Sequence, residues 1–208
     1  MSGAMHRKRV KHFDEAGHVH ELTFSTYKRQ PVLLQRGVAE LVLASLKAAT
    51  DRGLLDVIAF VVMPEHVHVL VLPSEHVDEE ASPVHKPPVA PEAGVVPVAR
   101  ILRAVKRPSS FRVKRLWECD RPELVEWFTL LERPGKASFR LWQQGGGYDR
   151  NITRCETLRN AIEYIHLNPV RRGLCARPVD WAWSSARQWR DGSLGLDEWM
   201  PRVRRNVL

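Results

Sequence analysis

The chain has 208 residues, 44% hydrophobic and 27% charged, with a formal net charge of +8. That length suits one domain with an elaboration, and the composition is that of a globular protein, which excludes a disordered or fibrous chain. No apolar run approaches the ~20 residues of a membrane span, and the charged opening MSGAMHRKRVKH lacks the apolar core of a secretory signal, so a cytoplasmic protein without membrane contact is expected.

The cysteines Cys119, Cys155 and Cys175 are odd in number and widely spaced. They argue for a reducing compartment and against a disulfide frame or a zinc ribbon. Lys and Arg recur in short clusters: HRKRVK (6–11), LRAVKRP (102–108), FRVKR (111–115), VRR (170–172) and RVRR (202–205). Each phosphate neutralised by such residues releases counterions, so a nucleic acid is the favoured partner, with a merely solvated face as the alternative.

In chain order, HVHELTFST (18–26) alternates as a first strand. GVAELVLASLKAAT (37–50) has helical spacing, and Asp51-Arg52-Gly53 supplies its stop. LLDVIAFVVMPEHVHVLVL (54–72) reads as one long strand or two linked at Met63-Pro64, and 74–97 reads as a proline-rich insertion. Helical patterns follow at 98–118 and 123–132, then a strand with a glycine-rich turn at 137–152. A helix over 157–168 ends against Pro169, and a tail follows that holds four of the seven tryptophans. The order implies an α+β fold, one antiparallel sheet with helices packed on it.

Alternation within VVMPEHVHVLVL places His66, His68 and Leu70 on one face of a strand, with Val67, Val69 and Val71 on the other. Imidazoles so placed are either core groups bonded to neighbours or two ligands reaching one metal ion. A second pair, His18 and His20, is expected at the surface or rim. Glu65, one residue from His66, is expected to point away from the ligand face. Tyr164 and Asn168 stand one helical turn apart on a shared face, while His166 lies about 200° from each and off that face. Asn168 offers an amide oxygen to a metal and Tyr164 a hydroxyl nucleophile; the plain alternatives are a packing tyrosine and a helix stop before proline.

VVMPEHVHVLVLP, FRLWQQGGGYDRNI and AIEYIHLNPVRRGL, in that order, resemble the REP-associated tyrosine transposases of the HUH superfamily, from about Lys11 to about Arg190. The resemblance implies an HUH nuclease (ferredoxin-like) catalytic domain over 11–175 carrying the 74–97 insertion, and a Trp-rich extension over 176–208. It implies that His66, His68 and Asn168 hold Mg²⁺ or Mn²⁺, and that Tyr164 cuts single-stranded DNA, becoming a 5′-phosphotyrosine. Tyr148 is the competing tyrosine. Lys106, Arg107, Arg112, Lys114, Arg115, Arg171 and Arg172 are the expected contacts to single-stranded or hairpin DNA, by charge and place, and a monomer or weak homodimer is expected. The rival readings are a domesticated DNA-binding protein of the same fold that no longer cuts, and a small-molecule metallohydrolase, which the charge of +8 disfavours.

Overall fold

The alternation that divides His66, His68 and Leu70 from Val67, Val69 and Val71 organises the whole molecule. The structure is a computed structural model describing residues 14–75, 94–192 and 196–207. The basic cluster at 6–11 and most of the 74–97 segment lie outside the described residues. Four strands, β1 (Val19–Ser25), β2 (Leu55–Val62), β3 (His66–Pro73) and β6 (Tyr148–Ile152), form an antiparallel sheet in the order β2-β3-β1-β6. Val67, Val69 and Val71 join Leu22 and Phe24 against helices α1 (Val38–Asp51) and α2 (Val98–Asp120). On the opposite face Leu70, Ile58 and Ile152 meet Leu158, Ile162 and Ile165 of helix α4 (Cys155–Arg171). The α+β architecture with helices on an antiparallel sheet is therefore as expected. The sheet is covered on both sides, which explains why β2 and β3 are apolar almost throughout.

The two halves of 54–72 are separate strands, turned at Met63-Pro64-Glu65. Met63 N–H donates to the His66 carbonyl at 2.8 Å, and the Glu65 carbonyl accepts from the backbone N–H of buried Thr26 at 2.9 Å. This turn fixes where His66 begins. The helix expected over 123–132 is instead a short helix α3 (Pro122–Phe128) followed by a hairpin of β4 (Thr129–Arg133) and β5 (Lys136–Phe139). The intervening Pro134-Gly135, with Gly135 at φ +75°, makes a turn that brings the two arms together. Helix α4 also runs past Pro169 to Arg171. A proline so near the helix end forfeits only one backbone bond, and left-handed Gly173 closes the helix with its N–H on the Val170 carbonyl.

The segment after α4 protects the free edge of β2. Ser185 N–H donates to the Phe60 carbonyl, Val62 N–H to the Trp183 carbonyl and Arg204 N–H to the Val57 carbonyl. The indole N–H groups of Trp181 and Trp189 donate to the carbonyls of Val62 and Ile58. These tryptophans are thus part of the packing that prevents strand-to-strand association at this edge. A short helix, α5 (Ala186–Asp191), lies within the segment. Among the described residues no helix is long and apolar enough to cross a membrane.

Gly145 and Gly147 of GGGYDRN differ in what they require. A Cβ on Gly147, at φ +80°, would stand 2.1 Å from the Thr23 carbonyl oxygen, whereas Gly145 at φ +99° has open space around it. Gly147→Ala is expected to cost about 2–4 kcal/mol and to lower Tm by roughly 5–12 °C, against about 1 kcal/mol for Gly145→Ala. Calorimetric melting of the two variants checks this, and equal shifts would contradict the close approach.

Candidate active site

Two imidazoles from β3 and a tyrosine from α4 meet at the polar end of the α4 face. His66 Nε2 lies 2.9 Å from His68 Nε2, and the rings stand edge to face. The outward nitrogen of each ring is also engaged. His66 Nδ1 donates to Glu65 Oε1 at 3.0 Å, and His68 Nδ1 lies 2.7 Å from Thr23 Oγ1, on the strand position directly opposite. Because a carboxylate only accepts, His66 carries its proton on Nδ1 and turns a lone pair inward on Nε2. His68 has two options. With its proton on Nε2 it hydrogen-bonds His66; with the proton on Nδ1, donated to Thr23, both Nε2 lone pairs face one point, where a cation could be held.

Electrostatics favours the neutral rings that such a cation needs. Burial pushes His68 down to about 4, helped by His66 and by Arg29. Burial also lowers His66, against the opposing pull of Glu65. For Glu65, burial works to raise the carboxyl, but the hydrogen bonds from Arg172 and His66 and the charge of Arg172 outweigh it and hold it below its ordinary value. Arg172 Nη1 reaches both Glu65 oxygens, at 2.7 and 2.9 Å, and Arg29 Nη2 stands 3.5 Å from Oε1. Glu65 therefore does not point away from the histidines as the strand alternation implied. It lies in the turn before β3, where strict alternation no longer applies, and its carboxylate comes round to hold His66.

Asn168 lines the same cavity of about 440 Å³, with His66, His68, Tyr164, Arg29 and Arg172. Its Nδ2 is buried without a hydrogen-bond partner, and of the amide only Oδ1 could serve as a metal ligand. No group of three His, Cys, Asp or Glu side chains able to hold a metal occurs among the described residues, so the available donor set is two imidazoles and an amide. That set fits a divalent ion of the Mg²⁺ or Mn²⁺ kind, with water completing the shell. It carries no charge of its own, which leaves the ion fully positive.

Tyr164, 44% exposed, stands at the rim, its ring 6.0 Å from that of His68 and under the guanidinium of Arg171 at 5.0 Å. Tyr148 lines a neighbouring cavity and not the one that holds His66 and Asn168. His166 is off this face as expected, buried with Nε2 2.8 Å from Ser185 Oγ. His20 is not at the surface: it is fully buried, its Nδ1 2.9 Å from Asp149 Oδ1, which β6 brings alongside β1.

The expected DNA contacts fall into three places. Arg171 and Arg172 flank the candidate active site. Lys106 and Arg107 line a groove of about 560 Å³ with Arg103 and Arg140, between α2 and the glycine-rich turn, and no carboxylate lines it. There Lys106 donates to the carbonyls of Gln143 and Gly145, and burial lowers it to about 8. Farther along α2, Lys114 and Arg115 pair with Glu118, and Arg112 donates to Ser45 Oγ of α1 at 3.4 Å. Thr23 and Arg29 also line the candidate active site. Thr23 was accessible through the alternation of β1, but Arg29 comes from a one-turn helix at left-handed φ (+53°) that no pattern announces.

Glu65→Gln keeps the shape and removes the charge that orients His66. It is expected to weaken Mn²⁺ binding about 10- to 100-fold, read by calorimetric titration. Unchanged affinity would remove Glu65 from the site.

No family model and no curated protein matches this chain. Among solved structures it is similar to a REP-associated tyrosine transposase bound to a REP hairpin, with a TM-score of 0.57 and 21% identity over 97% of this chain and 93% of that one. A protein described as a transposase from Deinococcus radiodurans R1 superposes with a TM-score of 0.37 and 20% identity over 82% of this chain and 97% of that one. The first likeness establishes a shared fold, so the resemblance in the sequence motifs is met by one of structure over nearly the whole chain.

Proposed function

We propose that this chain is a tyrosine transposase of the HUH type, which cuts and rejoins single-stranded DNA at hairpin repeats through a 5′-phosphotyrosine. One observation carries the reading: Tyr164 stands at the rim of the single cavity that gathers His66, His68 and Asn168. The fold shared with a hairpin-bound transposase and the net charge of +8 support DNA as the substrate.

His66, His68 and Asn168 would hold a divalent ion, Mg²⁺ or Mn²⁺, which when bound supplies Lewis-acid polarisation of a phosphate oxygen. Arg29 and Arg172 add positive charge to the same cavity and draw the anionic backbone into it. Tyr164 Oη then forms a bond to phosphorus while the bond from phosphorus to the 3′ oxygen breaks. The phenol loses its proton and the departing oxygen gains one. Because one phosphoester replaces another, a 3′-hydroxyl can reverse the step and rejoin a strand without ATP. In this reading the phosphates of a hairpin stem follow the groove of Arg103, Arg107 and Arg140, while Lys106, tied to two carbonyls, shapes the turn beside it.

The test is a labelled hairpin with single-stranded flanks, taken from DNA neighbouring the gene and incubated with Mn²⁺. A protein–DNA adduct that survives denaturation and is abolished by chelator is the expected result. Firm hairpin binding without any adduct would favour the non-cutting DNA-binding protein.

A further inference from the structure

Helix α4 carries both Tyr164 and Asn168, and its seat on the sheet decides how they face His66 and His68. The body of the helix rests through Leu158, Ala161, Ile162 and Ile165 on Ile58, Val61 and Leu70. Apolar contacts are non-directional, so they hold the helix down without fixing its rotation about its own axis. A rotation of about 10° moves a side-chain tip that lies roughly 6 Å from the axis by about 1 Å. Misplacement on that scale can slow a reaction on the order of 100-fold. The backbone ladder is interrupted in the same stretch, because Pro169 has no N–H for the Ile165 carbonyl.

One buried polar contact lies at this point. His166, on the inward side of α4, brings Nε2 to 2.8 Å from Ser185 Oγ, and both residues are buried. Ser185 is itself fixed twice to β2. Its N–H donates to the Phe60 carbonyl at 3.0 Å, and its Oγ accepts from the Phe60 N–H at 2.9 Å. The hydroxyl thus joins three elements: α4, the edge of β2 and the segment that leads into α5. The junction closes with either ring tautomer. If Nε2 is bare, the hydroxyl donates to it; if Nε2 carries the proton, it donates to Oγ, and the hydroxyl turns to the Phe60 carbonyl at 3.3 Å.

A second tether lies on the other side of the helix. Arg172, four residues after Asn168 and on its face, grips Glu65 in the turn before β3. One tether would leave the end of α4 free to pivot about it. Two tethers on opposite faces set both its rotation and its height.

We infer that His166 and Ser185 are positioning residues for the cutting reaction. Through their contact the segment after α4 sets the rotation of the helix, and with it the approach of Tyr164 and Asn168 to His66 and His68. The inference rests on the DNA-cutting reading above, and gives the tryptophan-rich segment a part in the chemistry besides its cover of the β2 edge.

Two substitutions at His166 test it. His166→Leu removes the contact and strands no polar group, because the Ser185 hydroxyl can turn to the Phe60 carbonyl. His166→Gln returns an amide within reach of the same hydroxyl. Both are compared with wild type by melting, by hairpin anisotropy, by Mn²⁺ titration without DNA, and by single-turnover cleavage at saturating hairpin and Mn²⁺. His166→Leu is expected to melt within about 5 °C of wild type and to bind the hairpin unchanged. It should cut about 10- to 100-fold more slowly and bind Mn²⁺ about 10-fold more weakly, through Asn168. His166→Gln should recover most of both losses. Cleavage by His166→Leu at the wild-type rate overturns the inference, as does failure of His166→Gln to recover it. A His166→Leu protein that is unfolded at the assay temperature, or whose hairpin binding falls with its cleavage, makes the pair part of the fold alone and overturns it equally. If the wild type forms no adduct, the DNA-cutting reading falls, and the Mn²⁺ affinities of the three proteins still decide the positioning of Asn168.

Discussion

Tyr164→Phe is expected to bind hairpin DNA with wild-type affinity and to form no covalent adduct. The substitution removes one oxygen from a ring that is 44% exposed, so neither core packing nor the contact with Arg171 changes, and stability should stay within about 0.5 kcal/mol of wild type. Loss of a covalent nucleophile in other systems lowers turnover by as much as ~10⁶, and cleavage here is expected to drop to background. Tyr148→Phe is the control. It is also exposed and lies nearby, but it lines only the neighbouring cavity, so it should still cut. Denaturing gels of both variants separate the two tyrosines.

The second large effect is expected for His68→Ala. His68 contributes one of the two nitrogens that converge at 2.9 Å, and its other nitrogen is held by Thr23. Its removal leaves the cavity with one imidazole and an amide, so Mn²⁺ affinity should fall by more than the ~10- to 100-fold typical of losing an outer partner. Cleavage should fall with it at any practical ion concentration. Hairpin binding, carried largely by charge distributed over the surface, should be preserved and keep its salt dependence. Thr23→Val should produce a milder form of the same defect, because it removes the acceptor to which His68 Nδ1 can donate. Metal titration and cleavage measured on the same preparations check both; a His68→Ala protein that cuts normally would exclude the paired-imidazole site.

The legible parts of this molecule are those set by short-range periodicity. Period-two alternation divided His66 and His68 from the valines of β3, and the two faces are covered as that division implies. The four-residue step from Tyr164 to Asn168 put both on one side of α4, where they share a cavity with those histidines. What stayed hidden depends on chain reversals. Glu65 sits in a turn where alternation gives no direction, and its grip on His66 needs Arg172 from the far end of α4. His20 looked like a rim residue because nothing in HVHELTFST says that β6, well over a hundred residues later, will pair beside β1 and set Asp149 against it. The stretch 123–132 has apolar spacing that suits a helix, yet Pro134-Gly135 just beyond it turns Thr129–Arg133 into one arm of a hairpin.

The most direct measurement is the identity of the residue joined to DNA. The adduct formed with a hairpin substrate and Mn²⁺ would be digested with nuclease and protease, and the nucleotide-bearing peptide sequenced by mass spectrometry. A 5′-phosphate ester on Tyr164, within NAIEYIHLNPVR, is the expected result. An adduct on Tyr148, or on any other side chain, would contradict the account of the site given by His66, His68, Tyr164 and Asn168.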